Sequence, residues 1–475
     1  MAQMKPMLLL TGMMLGLPAL ASAQTADVAT GLPTLDDQAR VRMGGGDAPG
    51  ALKLMRAQVA AHPEDRDARL DLVRYLSWNG DFVEAERVLF ADPAAAQSLE
   101  GQSLHAALLA WAGRIDAAQA ANAPVLAAEP DGVLGHYTEA VALRQTARPR
   151  LALPHVAEVE RLQTGSKDAI DLARSTRIRA GSVVALDYYH SDDSDDLVSA
   201  RPTLRADIAH GESVHYTVEL GRWDNRSPAD SAFVAVDGDD AIAQSRAMVG
   251  MRYASSLRTE WTAAIGSSSI DGDDTLLWRA GVDHRASDSW RLGGYADRDR
   301  LAISPRSLSL GLTRQGAVGL AHWTPDMNWT GDLMLRRDDY SDGNDSTEWL
   351  LAMRRAVVRQ PSVMLDLGAM LQHISHDRDL GNGYYAPDNY RRYGLTAHGY
   401  FGLSDDVGLS VQGGLGRQRD ETFTSWRRAN DLSASMVFGI YTPWQFTVFA
   451  GYSERVQTSG AYEGYNWGMS LAYRF

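Results

Sequence analysis

Within each run of the later part of this chain, a set of acidic and basic residues shares one parity: Arg205 and Asp207, Glu219, Arg252, Glu260, Arg279 and Asp283, Arg291 and Asp297, Asp332 and Arg336, Glu348, Arg354, Asp366. Residues spaced by two on a strand share a face, so these charges would line one surface together. Their signs are mixed, and a strongly cationic surface, as a polyanion would need, is not evident. Trp223 and Tyr295 have the same parity as their charged neighbours and offer flat rings on which sugars would stack. Other spacings point to less. "HISH" (His373 to His376) could suit a metal only with further ligands, and none is evident, so no metal and no cofactor is implied. Ser, His and acid residues for acyl hydrolysis are present without a local motif, so an enzyme is not indicated. The acidic runs "DDSDD" (Asp192 to Asp196) and "DGDD" (Asp237 to Asp240, Asp271 to Asp274) read as solvated loop charge. There is no basic patch and no phosphate loop, which leaves nucleic acid without a basis as a partner.

A shared face needs strands to carry it, and the sequence supplies them. Leu432, Ala434, Met436, Phe438 and Ile440 alternate with Ser433, Ser435, Val437 and Gly439; Trp444, Phe446, Val448 and Ala450 alternate with Gln445, Thr447 and Gly451. Such period-two patterning runs over some 290 residues, beyond the size of a single sandwich. Trp290, Trp329, Trp444, Tyr452 and Tyr473 stand near strand ends, where an interfacial girdle belongs. In hydrocarbon every backbone polar group needs a partner, so the sheet must close. Mean hydropathy of −0.27 and a net charge of −14 fit a barrel as well as a soluble acidic protein, because half of each barrel strand faces water. No stretch reaches the roughly 18 apolar residues of a membrane helix.

Connections should alternate between short turns (near 211, 256, 288, 325, 360, 405 and 442) and longer polar loops (191–198, 225–243, 270–274, 300–305, 341–345, 374–389, 419–427 and 456–462). One stretch, "SLSLGLTRQGAVGLAHW", is read as a single strand, because Leu308, Leu310, Leu312, Val318 and Leu320 keep one parity. Eight loops and seven turns then make 16 antiparallel strands.

The chain opens with one Lys, an apolar run from Met7 to Leu20 and a small-x-small site at Ala21 to Ala23, which reads as a signal peptide over residues 1–23. No cysteine occurs, so neither a disulfide nor a lipidated cysteine is available. Residues 24–48, with "MGGGDAPG", read as a flexible lead-in. In residues 49–176, "GDFVEA" (Gly80 to Ala85) recurs as "GRIDAA" (Gly113 to Ala118) at a period of 33, which resembles the tetratricopeptide repeat. Pro63, Pro93 and Pro130 each follow a helical run. About three helix pairs are expected between residues 50 and 165. The expected fold is an all-β transmembrane barrel over residues 177–475, preceded by a small all-α tetratricopeptide-like domain. Gly381 to Tyr390 ("GNGYYAPDNY") reads as an outer loop shaped by Gly383 and Pro387 that presents Tyr384, Tyr385 and Tyr390.

This layout resembles the outer-membrane exopolysaccharide secretins, the outer-membrane component of cellulose synthase and the poly-N-acetylglucosamine export porin. Two motifs carry the likeness: "GNGYYAPDNY" resembles a Gly-Gly-Tyr-aromatic-Ser-Pro-x-x-Tyr loop of the cellulose component, and "YSDGN" (Tyr340 to Asn344) resembles a turn found in both. The resemblance implies a bacterial outer-membrane location with the helical domain in the periplasm, and secretion of a cellulose-like or other polysaccharide. It also implies partners: outer-membrane lipid and lipopolysaccharide, the barrel-assembly machinery, and inner-membrane or periplasmic polysaccharide-synthesis proteins. The pore path would run past Trp223, Tyr295, Asp332, Arg336, Glu348 and Asp366. Tyr384, Tyr385, Pro387 and Tyr390 would form an outer-loop gate, and Tyr473 and Phe475, closing an alternating strand, an assembly signal. The family's helical repeats are more numerous than those here. The alternative is a non-conducting anchor that displays its repeats to periplasmic partners.

Overall fold

The computed structural model describes residues 34–475, so the expected signal peptide lies outside the described residues. The chain forms two units, a helical one that ends at Arg179 and a barrel that begins at Ala180.

In the helical unit, antiparallel pairs follow one another: α1 (Leu35–Gly44) with α2 (Ala48–Ala61), α3 (Arg66–Asn79) with α4 (Phe82–Phe90), then α5 (Pro93–Gln97), α6 (Leu99–Trp111) with α7 (Ile115–Ala128), α8 (Val133–Leu143) with α9 (Leu153–Leu162), and α10 (Lys167–Ala180). The described chain is thus already helical within the stretch expected as a lead-in. Thr34 explains this, because its hydroxyl accepts from the Asp37 N–H while the Asp37 carboxylate takes the Thr34 N–H, a reciprocal cap that starts α1. The repeated glycines serve as expected: Gly80 (φ 85°) and Gly113 (φ 74°) take the left-handed conformation that stops α3 and turns the chain after α6. Five residues beyond each, Ala85 and Ala118 are fully buried, where a larger side chain would hold the paired helices apart.

Asp168 is buried in the first turn of α10. Burial, and then the charge of Asp171, push its carboxyl up to about 7. The folded state therefore binds this proton more tightly than the unfolded state. The contribution is fully present below about pH 4 and is lost as pH rises through 7. Asp168→Asn should stabilise the helical unit at pH 8 by about 1–2 kcal/mol, after a discount for the water that still reaches the group, and leave it unchanged near pH 4. Amide hydrogen exchange on the full-length protein in detergent at both pH values reads this. A variant as pH-sensitive as the parent would assign the dependence to another group.

The barrel unit opens with β1 (Val183–Asp193), β2 (Val198–His210), β3 (Val214–Arg226), β4 (Ala241–Ala254), β5 (Thr259–Ile270), β6 (Asp273–Arg285), β7 (Trp290–Arg300), β8 (Thr313–Trp323) and β9 (Trp329–Tyr340). It continues through β10 (Asp345–Gln360), β11 (Val363–His376), β12 (Tyr390–Gly402), β13 (Val407–Arg419), β14 (Arg427–Arg428), β15 (Asp431–Phe438), β16 (Trp444–Ser453) and β17 (Gly464–Arg474). Each pairs antiparallel with its neighbour in sequence, and β17 returns to β1 with Val183 opposite Arg474, which closes the sheet. The two-residue β14 is not a separate stave. Arg417 faces Arg428 and Gly414 faces Asp431 in one unbroken register along β13, so β14 and β15 are a single strand interrupted at Ala429 and Asn430. The barrel therefore has sixteen staves, as the alternation implied.

The outer surface is the apolar parity: Leu186, Leu204, Leu220, Val249, Ile265, Leu292, Leu335, Leu395, Leu415 and Leu471 are all exposed. Trp290, Trp329, Trp444 and Tyr473 stand exposed on the same face beside the short turns. Trp290 pairs with Trp323 and Trp444 with Tyr473.

One expectation fails. The run from Ser307 to Leu312 is not strand: α11 (Pro305–Ser309) occupies it, and β8 starts only at Thr313. Ser304 accepts from the Ser307 N–H, the Ser307 hydroxyl takes the Ser304 N–H in return, and Pro305 sits in the first turn with its φ preset for a helix. This local capping, together with the packing of Leu308 against Ile270 and Trp223, outcompetes the alternation of Leu308, Leu310 and Leu312. The β7–β8 connection is accordingly a long, structured loop, residues 301–312.

Candidate functional site, the lumen and its mouth

The parity opposite the apolar one faces the barrel interior, and all six residues expected along the pore lie on it. Asp332 on β9 accepts from His322 Nδ1 at 2.7 Å and from Arg354 Nη2 at 2.5 Å. Arg336, two inward positions along, holds Asp338 at 2.5 Å. Glu348 on β10 accepts from the Gln372 amide at 2.8 Å, and Asp366 faces inward from β11. Tyr295 on β7 lies under the Arg279 guanidinium, 5.6 Å from its ring centre. Trp223 on β3 is more confined: the guanidiniums of Arg201 and Arg246 lie 4.8 and 4.9 Å from its ring centre, and its side chain packs beside Ile270, Ala302 and Leu308. Its ring is thus largely occupied by the protein itself.

The inward charges neutralise one another across strands. Arg246 bridges Glu219 at 3.0 Å and Asp299 at 2.6 Å; Arg314 meets Asp297 at 3.1 Å, with Arg279 also reaching Asp297 at 3.4 Å; Asp207 takes His215 at 2.6 Å and Arg252 at 3.3 Å. Arg246, Asp299, Arg314 and Asp338 were not singled out from sequence. Arg246, Asp299 and Asp338 match the parity of the charged residues that were, whereas Arg314 shares the parity of the apolar Val318 and Leu320. Extending the register by one inward position finds Asp299 on β7 and Asp338 on β9. Arg246 lies three inward positions from Arg252 on β4, and β8 offered no starting residue for Arg314. Such a wall is polar and wettable but carries little unpaired charge.

The long-loop end is not an open rim. The Ser304 hydroxyl donates to Gly383 O at 2.7 Å and Arg306 Nε to Gly381 O at 2.9 Å, tying the α11 loop to residues 377–389. On its other side, α11 meets the β3–β4 loop, with the Arg306 N–H donating to Phe233 O and the Val236 N–H to Ser309 Oγ. The Tyr385 N–H donates to Thr458 O in the β16–β17 loop, and Ser459 Oγ donates to Asp193 beside the β1–β2 loop. The Ser459 contact joins neighbouring hairpins, but the other three loop pairs (β3–β4 with β7–β8, β7–β8 with β11–β12, β11–β12 with β16–β17) belong to hairpins four staves apart, a quarter of the circumference. Loops that merely lined the rim would touch their neighbours, so contacts at a quarter turn require them to arch over the mouth.

The aromatic residues expected in the outer loop take different positions. Tyr384 is buried against Leu301, Leu312, Ala386 and Tyr340, and its hydroxyl donates to Asp342 at 3.0 Å and accepts from Asn344 at 2.9 Å. Burial raises its pKa, as does the bond to Asp342. The Tyr385 hydroxyl donates to Asp420 at 2.5 Å; burial and that bond raise it too. Burial works to raise the Asp420 carboxyl, but bonds from Thr422, Tyr385 and Tyr462 hold it below its ordinary value, so this contact survives throughout neutral pH. Tyr390 is the first residue of β12, almost fully buried, with its hydroxyl on Gln418 at 3.0 Å. Pro387 O accepts from the His376 N–H at 2.8 Å, pinning the loop to the end of β11. Two of the three rings thus lock the loop in place instead of facing passing solute. His373 and His376 lie on opposite faces of β11, which separates the two rings of "HISH". Tyr473 stacks on Trp444 and Phe475, and Phe475 exchanges both backbone hydrogen bonds with Ser182 at the β1–β17 seam.

Comparison with known proteins finds a family likeness in part of each unit. Residues 42–108 match the tetratricopeptide repeat and residues 232–396 the PgaA membrane beta barrel domain. A search of the curated proteins gives no match. Among solved structures, a bacterial polysaccharide outer membrane secretin superposes with a TM-score of 0.53 at 12% identity, covering 62% of this chain and 98% of that one. CdiB from Acinetobacter baumannii gives a TM-score of 0.40 at 7% identity, covering 62% and 60% of the two chains.

Proposed function

Starting from a chain that carries tetratricopeptide repeats followed by a PgaA-type membrane barrel, we infer that this protein secretes a polysaccharide through the outer membrane. The observation that carries the reading is the match of residues 232–396 to that barrel domain, in a sixteen-stave barrel with a polar, self-neutralised inner wall. A barrel of this size holds an aqueous channel, and balanced charge suits an uncharged, cellulose-like polymer better than a polyanion. The polymer passes Tyr295, Asp332, Arg336, Glu348 and Asp366 in weak, repeated contacts. The loop bearing Tyr384, Tyr385 and Pro387, anchored through Tyr390, gates the exit. The long loops face the exterior, the helical repeats stand in the periplasm, and they dock a protein of the synthesis machinery. Tyr473 and Phe475 serve as the signal recognised by the barrel-assembly machinery.

Deleting the gene should abolish surface polymer while synthesis continues. Undiminished surface polymer in the deletion strain would sink the export reading. Orientation is tested separately by cysteine labelling, free of background because the chain has no cysteine. An impermeant reagent on intact cells should label exposed cysteines placed at Asp239 and Asp388 and spare one at Asp405. The reverse pattern would invert the barrel.

A further inference from the structure

The outward face beside the long loops of β12–β14 carries guanidiniums that the protein does not neutralise. Arg391 stands directly opposite Arg419, and Arg417 stands opposite both Tyr393 and Arg428, so all four arginines share the outer face. All four are exposed. Like charges directly opposed across a sheet are destabilising, yet among the described residues none of the four has an ion pair within reach. The neighbouring carboxylates are engaged elsewhere: Glu421 accepts from the backbone N–H groups of Asp388 and Asn389, and Glu454 accepts from the Asn430 amide. Arg391 itself reaches only the Asn389 side-chain oxygen, at 2.9 Å. Other outward arginines near the same rim have partners, with Arg222 at 4.0 Å from Asp224 and Arg337 at 3.7 Å from Asp345.

Immediately below these charges lies an apolar groove. The break between β14 and β15 at Ala429 and Asn430 opens a cavity of about 510 Å³, lined by Leu371, Tyr393, Leu395, Leu415, Arg417 and Arg428. Leu395 and Leu415 form a row two residues below Tyr393 and Arg417, about 7 Å along the strands. Trp426 packs edge-on against Tyr393 at 5.0 Å, which supplies an aromatic step between the charged rim and the apolar groove. Going inward from the rim, the order is guanidinium pair, aromatic and guanidinium, then leucine. That is the order of an acidic glycolipid: phosphate, sugar, acyl chain.

We propose that Arg391, Arg417, Arg419 and Arg428, together with the Leu395–Leu415 groove, bind the phosphorylated disaccharide and one acyl chain of lipopolysaccharide in the outer leaflet. The occupant follows from charge complementarity and from position. Guanidinium forks bind phosphate through paired charge-assisted hydrogen bonds, and a site on the lipid-facing surface receives its ligand from the membrane. This rests on the outward orientation of the long loops given above. Bound glycolipid would neutralise the arginines on β12–β14, which flank the loop over residues 377–389.

The test uses the full-length protein in detergent, with native mass spectrometry against bis-phosphorylated lipid A and, at equal concentration, phosphatidylglycerol. The parent should prefer lipid A, and Arg417→Gln/Arg419→Gln/Arg428→Gln should bind it about tenfold more weakly. Arg222→Gln/Arg337→Gln, which removes as much outward charge per site elsewhere on the rim, should bind like the parent. A heat-modifiable electrophoretic shift confirms the fold of each variant. If the triple variant loses it, Arg419→Gln alone, at the exposed rim, carries the same comparison. Equal lipid A binding by variant and parent overturns the proposal, as does equal affinity of the parent for phosphatidylglycerol. Failure of export with lipid A binding intact would refute the transport reading and leave this site standing.

Discussion

Replacing Gly383 by valine raises single-channel conductance in planar bilayers by about twofold or more, and removing Gly381 to Asn389 raises it further. Gly383 has φ +81°, a conformation that costs an L-residue about 1 kcal/mol or more. Space is the larger obstacle. A Cβ at this position would lie 2.3 Å from Ser304 Oγ and 2.8 Å from Arg306 Cβ, both on the α11 loop. The two loops cannot stay in contact, so the bonds from Ser304 to Gly383 and from Arg306 to Gly381 are lost together. Those bonds join hairpins a quarter turn apart, and their loss frees the span that arches over the mouth. Tyr384, buried between the two loops, would come away with it. Conductance unchanged in both the point variant and the deletion would show that the loops do not obstruct the passage.

Asp297→Ala costs about 3–5 kcal/mol of barrel stability while leaving conductance nearly unaltered. The Asp297 carboxylate is 2% exposed and its main partner, the Arg314 guanidinium, 5%. Removing the acid leaves Arg314 with only Asp338, 3.7 Å away and already bonded to Arg336, while Arg279 loses its contact too. An uncompensated buried charge is expensive, whereas removing both partners is much less so. Asp297→Asn/Arg314→Gln should therefore recover part of the loss. The measurement is the urea midpoint of the folded, heat-modifiable form in detergent. A single variant as stable as the parent would mean that water already reaches this pair, and that these charges act on solute instead of holding the wall.

Period-two alternation was enough to establish the sheet, its closure, its sixteen staves and the inward side of most strands. On β8 it misleads, because Val318 and Leu320 share the inner face with Arg314 and His322, opposite Tyr295 and Gly293. That information is local. A side chain's face follows from its parity, and each stave had to bury one parity or expose it to lipid. For the same reason Asp332, Arg336, Glu348 and Asp366 could be placed on the inner wall from their spacing alone. The helical pairs were legible at Gly80 and Gly113, because a left-handed turn and a small contact five residues on leave a fixed signature.

What the mouth does was decided only in three dimensions. At Ser304 to Ser307 two local signals compete, a capping box and a run of alternating leucines. The helix wins because its turn can pack Leu308 against Trp223 and Ile270, contacts that no local pattern announces. Ser304 meets Gly383 across 79 residues of sequence and Arg306 meets Gly381 across 75. Whether Tyr384 presents its ring or buries it depends on that meeting. The four unneutralised arginines on β12–β14 are likewise inconspicuous in sequence. Their proximity arises from the register that sets Arg391 against Arg419 and Arg417 against Arg428, and from the break at Ala429 that opens the groove beneath them. Parity fixes which way a residue faces, but loop closure and register alone decide what it meets there.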